Sequence, residues 1–159
     1  CLFLGTALGA YRDGDFCGGD IDDIDIAIDI KYFDKMEAIT ESMRLHGLTE
    51  GSVFTHPLGI APERAFTRQF NAQERVKLDI FFITPYQGKM AWVFYSEPPQ
   101  IRLIDDYFTK YSTVEFYGET YNIPSPIELY LEANYGKEWR TPIHRHNWRW
   151  DKDNQAPIV

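Results

Sequence analysis

Cysteine is nearly missing from this sequence. Only Cys1 and Cys17 occur among 159 residues, so no disulfide framework staples the chain and no Cys/His zinc pattern is complete. Positive charge is also short: 16 Lys and Arg stand against 24 Asp and Glu, for a net charge of −8. A chain without a basic face is not built to wrap nucleic acid. The deficit does not exclude a nucleotide ligand, because a bound cation inverts the local charge. No apolar run approaches the length of a membrane span, and no signal-peptide pattern, internal repeat or low-complexity block is visible. What is plentiful is apolar and aromatic side chain, 44% and 16%. That excludes a disordered chain, and the length suits one domain, residues 1–159, able to bury its own core.

The chain begins at Cys1 inside an apolar run, so a segment before it is expected to be missing. Leu2–Leu4 reads as a short buried strand, broken by Gly5, with Thr6 as N-cap of a helix to about Arg12. A glycine-rich loop follows. Asp23-Ile24-Asp25-Ile26-Ala27-Ile28-Asp29-Ile30 alternates with period two, which predicts a strand with isoleucines on one face and Asp23, Asp25, Ala27 and Asp29 on the other. Residues 33–46 predict an amphipathic helix with Phe33, Met36, Ile39, Met43 and Leu45 toward its inner side, ended by Gly47. Strands are predicted at 64–70 and 76–83 around a turn at Asn71–Glu74, with a further one at 90–95 and a short one at 114–117. Pro126 opens a last helix to about Asn134, with Gly136 as its stop. The tail from Pro142 is expected to be irregular.

Two carboxylates at i and i+2 on a strand share a face and can share a hard cation, which prefers oxygen ligands. Asp79 is the natural third ligand, because an isolated charge within an otherwise apolar strand is costly without a cationic partner. A solvated acidic face is the plain alternative. An EF-hand fails on spacing: counted from Asp20, Asp25 falls where glycine is required and the closing Glu is missing. Gly5-Thr6 at a strand-to-helix turn could admit a phosphate, with Arg12 and Lys77 as candidate cationic contacts. Tyr135 and Trp139 suit either the core of the last helix or stacking on a base or sugar. His144 and His146 lack further zinc ligands nearby, and Cys17 lacks a local His.

Gly5-Thr6, then Asp23-Ile24-Asp25-Ile26, then Leu78-Asp79-Ile80 resembles the nucleotidyltransferase superfamily pattern. The strings GTALGAYRDGDF (5–16), DIDDIDIAI (20–28) and IPSPIELYLEANYGKEWRTP (123–142) together resemble the LicD and fukutin family, and the tail is most similar to its fukutin branch. The resemblance implies an α+β fold with a nucleotidyltransferase-like mixed sheet flanked by helices. It implies a phosphotransferase that moves a phospho-alcohol, of the phosphocholine or ribitol phosphate class, from a CDP-linked donor to a glycan hydroxyl. Asp23, Asp25 and Asp79 become catalytic carboxylates on Mg²⁺ or Mn²⁺, and Gly5, Thr6, Arg12 and Lys77 become donor-phosphate contacts. Bacterial members would sit in the cytoplasm and fukutin-like ones in the Golgi lumen. Ile21 interrupts the family's acidic triplet; of Asp20, Asp22 and Asp23, the last shares strand parity with Asp25. A nucleotidylyltransferase using the same carboxylates and a non-catalytic nucleotide-binding domain are the competing readings.

Overall fold

The computed structural model describes residues 1–18, 21–56, 58–95, 99–144 and 147–158, and the structural statements below concern those residues. The architecture is the expected mixed α+β one. Helices α1 (Leu4–Arg12), α2 (Met36–Leu45) and α3 (Ile127–Tyr135) accompany strands β1 (Asp23–Asp29), β2 (Thr49–Phe54), β3 (Glu63–Gln69), β4 (Arg75–Tyr86), β5 (Lys89–Phe94) and β6 (Gln100–Ile104). These six strands form one sheet, in the order β2-β3-β4-β5-β6 with β1 beside β4, and β7 (Tyr111–Phe116) and β8 (Glu119–Pro124) form a separate hairpin. β1 pairs with β4 in parallel, whereas the other strand pairings are antiparallel. No helix among the described residues is long and apolar enough to cross a membrane.

The alternation of β1 and β4 works because both faces of the sheet are covered. Ile26, Ile28 and Ile30 join Leu78, Ile80 and Phe82 of β4 and Phe66 of β3 against Met36, Ile39 and Met43 of α2. The opposite face carries Ala27, Phe81 and Ile83 into the larger core, beneath Ala7 and Leu8 of α1 and Ile127, Tyr130 and Leu131 of α3. That larger core is built on aromatics, with Phe3 in contact with Phe81, Trp92, Phe108 and Tyr130 at ring-centroid distances of 5.3–6.0 Å. Edge-to-face rings of this kind bury large area with favourable quadrupole geometry.

Several boundaries differ from expectation. Leu2–Leu4 is not a strand: Leu2 makes one isolated bridge to Ile26, and Phe3 N-caps a helix that already starts at Leu4, so Thr6 lies inside it. The reason is pairing of the first residues with β1, the Phe3 N–H donating to the Asp25 carbonyl at 3.0 Å and the Ala27 N–H to the Cys1 carbonyl at 2.9 Å. The 33–46 helix divides into a 3-10 stretch, Ile30–Lys35, followed by α2. Leu45 is 77% exposed, off the inner face assigned to it. β2 and β6 were not foreseen: β2 is a polar, exposed edge strand with no alternation to read, and β6 is five residues long. The predicted strand at 114–117 is one arm of the β7–β8 hairpin, whose turn residues Tyr117 and Gly118 both have positive φ, as a twisted two-residue turn requires. α3 and its terminator Gly136 (φ 78°) fall where expected. The tail is not all loose, since Asn154 and Ala156 are buried and their carbonyls accept from the Arg102 guanidinium at 3.2 and 2.9 Å.

Gly9 explains part of the glycine-rich motif. A Cβ there would stand 2.5 Å from the Asp15 carbonyl oxygen and 2.6 Å from the Cys17 backbone nitrogen, so the loop after α1 packs directly on the helix. Gly9→Ala is expected to lift this loop and cost about 1–3 kcal/mol in urea unfolding, with new proteolytic cleavage between Asp13 and Cys17; an unchanged midpoint would contradict the packing.

Candidate active site

The parallel pairing of β1 and β4 aligns Asp23 with Lys77 and Asp25 with Asp79. Aligned residues of a parallel pair project to the same face, so the carboxylates at i and i+2 on β1 meet the one on β4. One oxygen from each of Asp23, Asp25 and Asp79 lies within 4.8 Å of the others. Asp23 Oδ1 and Asp79 Oδ1 are buried with no hydrogen-bond partner. Buried, unpartnered carboxylate oxygens are expensive, and an all-oxygen set of this size is what a hard divalent cation accepts. The residues therefore fit such an ion.

Lys77 is the local counter-charge. Its ammonium bonds to Asp79 and stands 4.0 Å from Asp23 Oδ1. Burial works to lower its pKa, but the bond to Asp79 and the charges of Asp79, Asp23 and Glu63 outweigh it and hold Lys77 above the usual lysine range. One ammonium does not balance the cluster. Burial, then the charges of Asp23 and Asp79, drive the Asp25 carboxyl well above the usual range. Asp79 is also raised, first by burial, with Lys77 pulling the other way.

Asp25 is held from three directions. Its N–H donates to the buried Thr6 hydroxyl at 2.9 Å, and its carbonyl accepts from Phe3. Gly5, in the first turn of α1, runs against its carboxylate: a Cβ on Gly5 would sit 3.6 Å from Asp25 Oδ2. The positive end of the helix dipole thus faces a carboxylate, a favourable arrangement. The Leu4 N–H, which has no partner within the helix, donates to the Tyr130 hydroxyl at 2.9 Å.

The other sequence candidates fall elsewhere. Asp22 lines a separate groove beside the exposed Ile21, in keeping with strand parity, and Asp20 lies outside the described residues. Arg12 pairs with Asp13 at 2.7 Å and donates to the Trp139 carbonyl at 3.0 Å. It lines a small cavity next to α1 with Gly5, Cys17, Tyr135 and Trp139, not the carboxylate cleft. Trp139 is buried in the main core and Tyr135 packs against it. His146 is outside the described residues.

Sequence reasoning missed Glu63. It opens β3, one residue before the strand predicted from 64, and Ala65 of the same strand pairs with Asp79. Glu63 is therefore on the carboxylate face, 4% exposed, in a cleft of about 300 Å³ shared with Asp23, Asp25, Lys77 and Asp79. Burial and then the Asp79 charge push its carboxyl up to about 8. Its parity with Ala65 and Thr67 was the available signal, but only with the strand boundary and register in hand.

The family described as LicD/FKTN/FKRP, nucleotidyltransferase domain, matches residues 1–126. Curated relatives named ribitol-5-phosphate transferase FKTN align over 98% of this chain, at 28% identity in Macaca fascicularis and Homo sapiens and 29% in Mus musculus. The chain spans 32% of the length of each.

The raised carboxyls set a pH dependence. Glu63 takes up its proton near 8 when folded and near 4.5 otherwise, so the native state binds more protons between those values. Stability is then full below about pH 4.5 and declines as pH rises toward 8, at up to about 1.4 kcal/mol per pH unit for this group. Metal-free protein should melt at lower temperature at pH 8 than at pH 5.5, and Glu63→Gln should flatten the dependence in scanning calorimetry. A melting temperature that rises over this interval would contradict the burial of uncompensated acids.

Proposed function

The chain belongs to the LicD/FKTN/FKRP nucleotidyltransferase-domain family, and on that premise we propose that it is a metal-dependent transferase of phospho-alcohols. In this reading it takes ribitol phosphate, or a similar group such as phosphocholine, from a CDP-linked donor and joins it to a glycan hydroxyl, releasing CMP. The observation that carries it is the convergence of Asp23, Asp25 and Asp79, with two buried carboxylate oxygens that receive no hydrogen bond. Asp23, Asp25 and Asp79 would hold Mg²⁺ or Mn²⁺. Such an ion would supply charge neutralisation for the donor diphosphate.

The chain's own groups divide the remaining work. Asp79, on the face it shares with Asp23 and Asp25, would also receive the proton of the attacking hydroxyl. Lys77 sits between Asp79 and Asp23, and its flexible ammonium would contact the donor phosphate. Gly5 and Thr6 belong to the first turn of α1, whose N–H groups and dipole favour an anion. Thr6 also acts through Asp25, by fixing its backbone amide. Arg12 supplies a cation in the neighbouring cavity, which Gly5 borders.

Asp23→Asn, Asp25→Asn and Asp79→Asn should each keep the fold and lower CMP release from CDP-ribitol, CDP-choline or CDP-glycerol by about a hundredfold or more, with weaker Mg²⁺ binding in calorimetry. Mass spectrometry of the product separates the readings. Phospho-alcohol on the glycan supports the proposal, whereas CMP on the acceptor would make the chain a nucleotidylyltransferase. Variants that retain full rate would remove the site assignment.

A further inference from the structure

The carboxylate cleft has an aromatic wall that the transfer chemistry above does not use. Phe54 of β2 is the cross-strand partner of Glu63, so ring and carboxylate stand side by side on one face. Tyr95, just beyond β5, stacks on Phe54 with ring centroids 4.0 Å apart and planes inclined by 29°. Both rings, with Trp92 and Phe94, line the cleft that holds Asp23, Asp25 and Asp79. Tyr95 remains 51% exposed, although it belongs to the wall of a polar cleft. Glu63 faces the same space from a buried position.

Resting on the transferase reading, we propose that Phe54, Tyr95 and Glu63 form the subsite for the acceptor sugar, with Tyr95 against the C–H face of a pyranose ring and Glu63 accepting hydrogen bonds from its hydroxyls. A flat apolar face beside a buried acceptor group matches a sugar ring, which is apolar on its faces and a hydrogen-bond donor around its rim. The donor's phosphates are the wrong occupant, since this wall offers two rings and a carboxyl group and supplies no N–H. The nucleobase is wrong on position: ribose and the α-phosphate separate it from the reacting phosphorus, whereas Glu63 is one alternate residue along β3 from the partner of Asp79. A choline headgroup would want ring faces converging into a cage. Phe54 and Tyr95 are stacked on each other, so their uncovered faces point apart rather than converge.

The test uses the full chain with Tyr95→Ala, Phe54→Ala and Glu63→Gln, folding verified by circular dichroism. Saturation-transfer NMR with a panel of methyl glycosides of common hexoses and N-acetylhexosamines reads the subsite without turnover. At least one glycoside should give signal from ring C–H protons, retained when CDP and Mg²⁺ are added and lost in Tyr95→Ala. In the transfer assay, Tyr95→Ala and Glu63→Gln should raise the acceptor KM by about tenfold or more, and in Tyr95→Ala the donor KM and CMP release to water should stay within about twofold. A shift confined to the donor KM, or displacement of the glycoside by CDP alone, would overturn the assignment in favour of base or cargo. Glycoside binding that is indifferent to all three substitutions would overturn it as well. Binding without any CMP release would keep the subsite and sink the transferase reading, so the two failures are distinguishable.

Discussion

The register between β1 and β4 is the constraint on which the site depends. Asp25 opposite Asp79, with Asp23 opposite Lys77, puts three carboxylates and one ammonium on a single face. A slip of one residue would turn a strand's acids toward the isoleucine side and its isoleucines toward the cleft, because side-chain direction alternates with every residue. Two packed cores prevent that slip. Ile26, Ile28 and Ile30 are seated under α2, and Ala27 and Phe81 under α1, so pairing in any other register would expose apolar surface on both sides of the sheet.

α1 adds a second restraint that ties the fold to the chemistry. Its entry residues pair with β1, its Thr6 hydroxyl holds the Asp25 amide, and its Gly5 leaves room for the Asp25 carboxylate. The Tyr130 hydroxyl fixes the first turn of α1 from α3. Precision at Asp25 thus derives from rigid elements rather than from a loop, as a metal or phosphoryl-transfer site requires. The cost is electrostatic. Asp25, Asp79 and Glu63 all have raised pKa values because burial and mutual repulsion disfavour their charged forms. The cleft is therefore a poor place for bare negative charge, and a divalent cation bound there would couple ion binding to folding stability.

Much of this was readable from residue order. Strict alternation over 23–30 revealed both the strand and the face shared by Asp23 and Asp25, and the charge of Asp79 within an apolar strand marked it as their partner. The strings around Gly5, Asp25 and 123–142 carried the family likeness. What escaped needed information that periodicity does not hold. Glu63 gains meaning only through its pairing across β2 and β3, and β2 itself is exposed and polar enough to read as a loop. Phe3 meets four other rings of the core, yet its two-residue neighbourhood gives no period to detect. Leu45 lies about half a turn around the helix from Met36, so it faces away from the core that Met36, Ile39 and Met43 enter.

The central claim is that β1 and β4 together make one divalent-cation site. The most direct measurement is anomalous diffraction from a crystal of this chain soaked with Mn²⁺ and CDP. The account predicts a peak among the carboxylates of Asp23, Asp25 and Asp79, absent in Asp25→Asn, with Lys77 turned away from Asp79 toward phosphate. A Mn²⁺ peak bound elsewhere with these three carboxylates empty, or Lys77 still bonded to Asp79 with CDP in place, would contradict it.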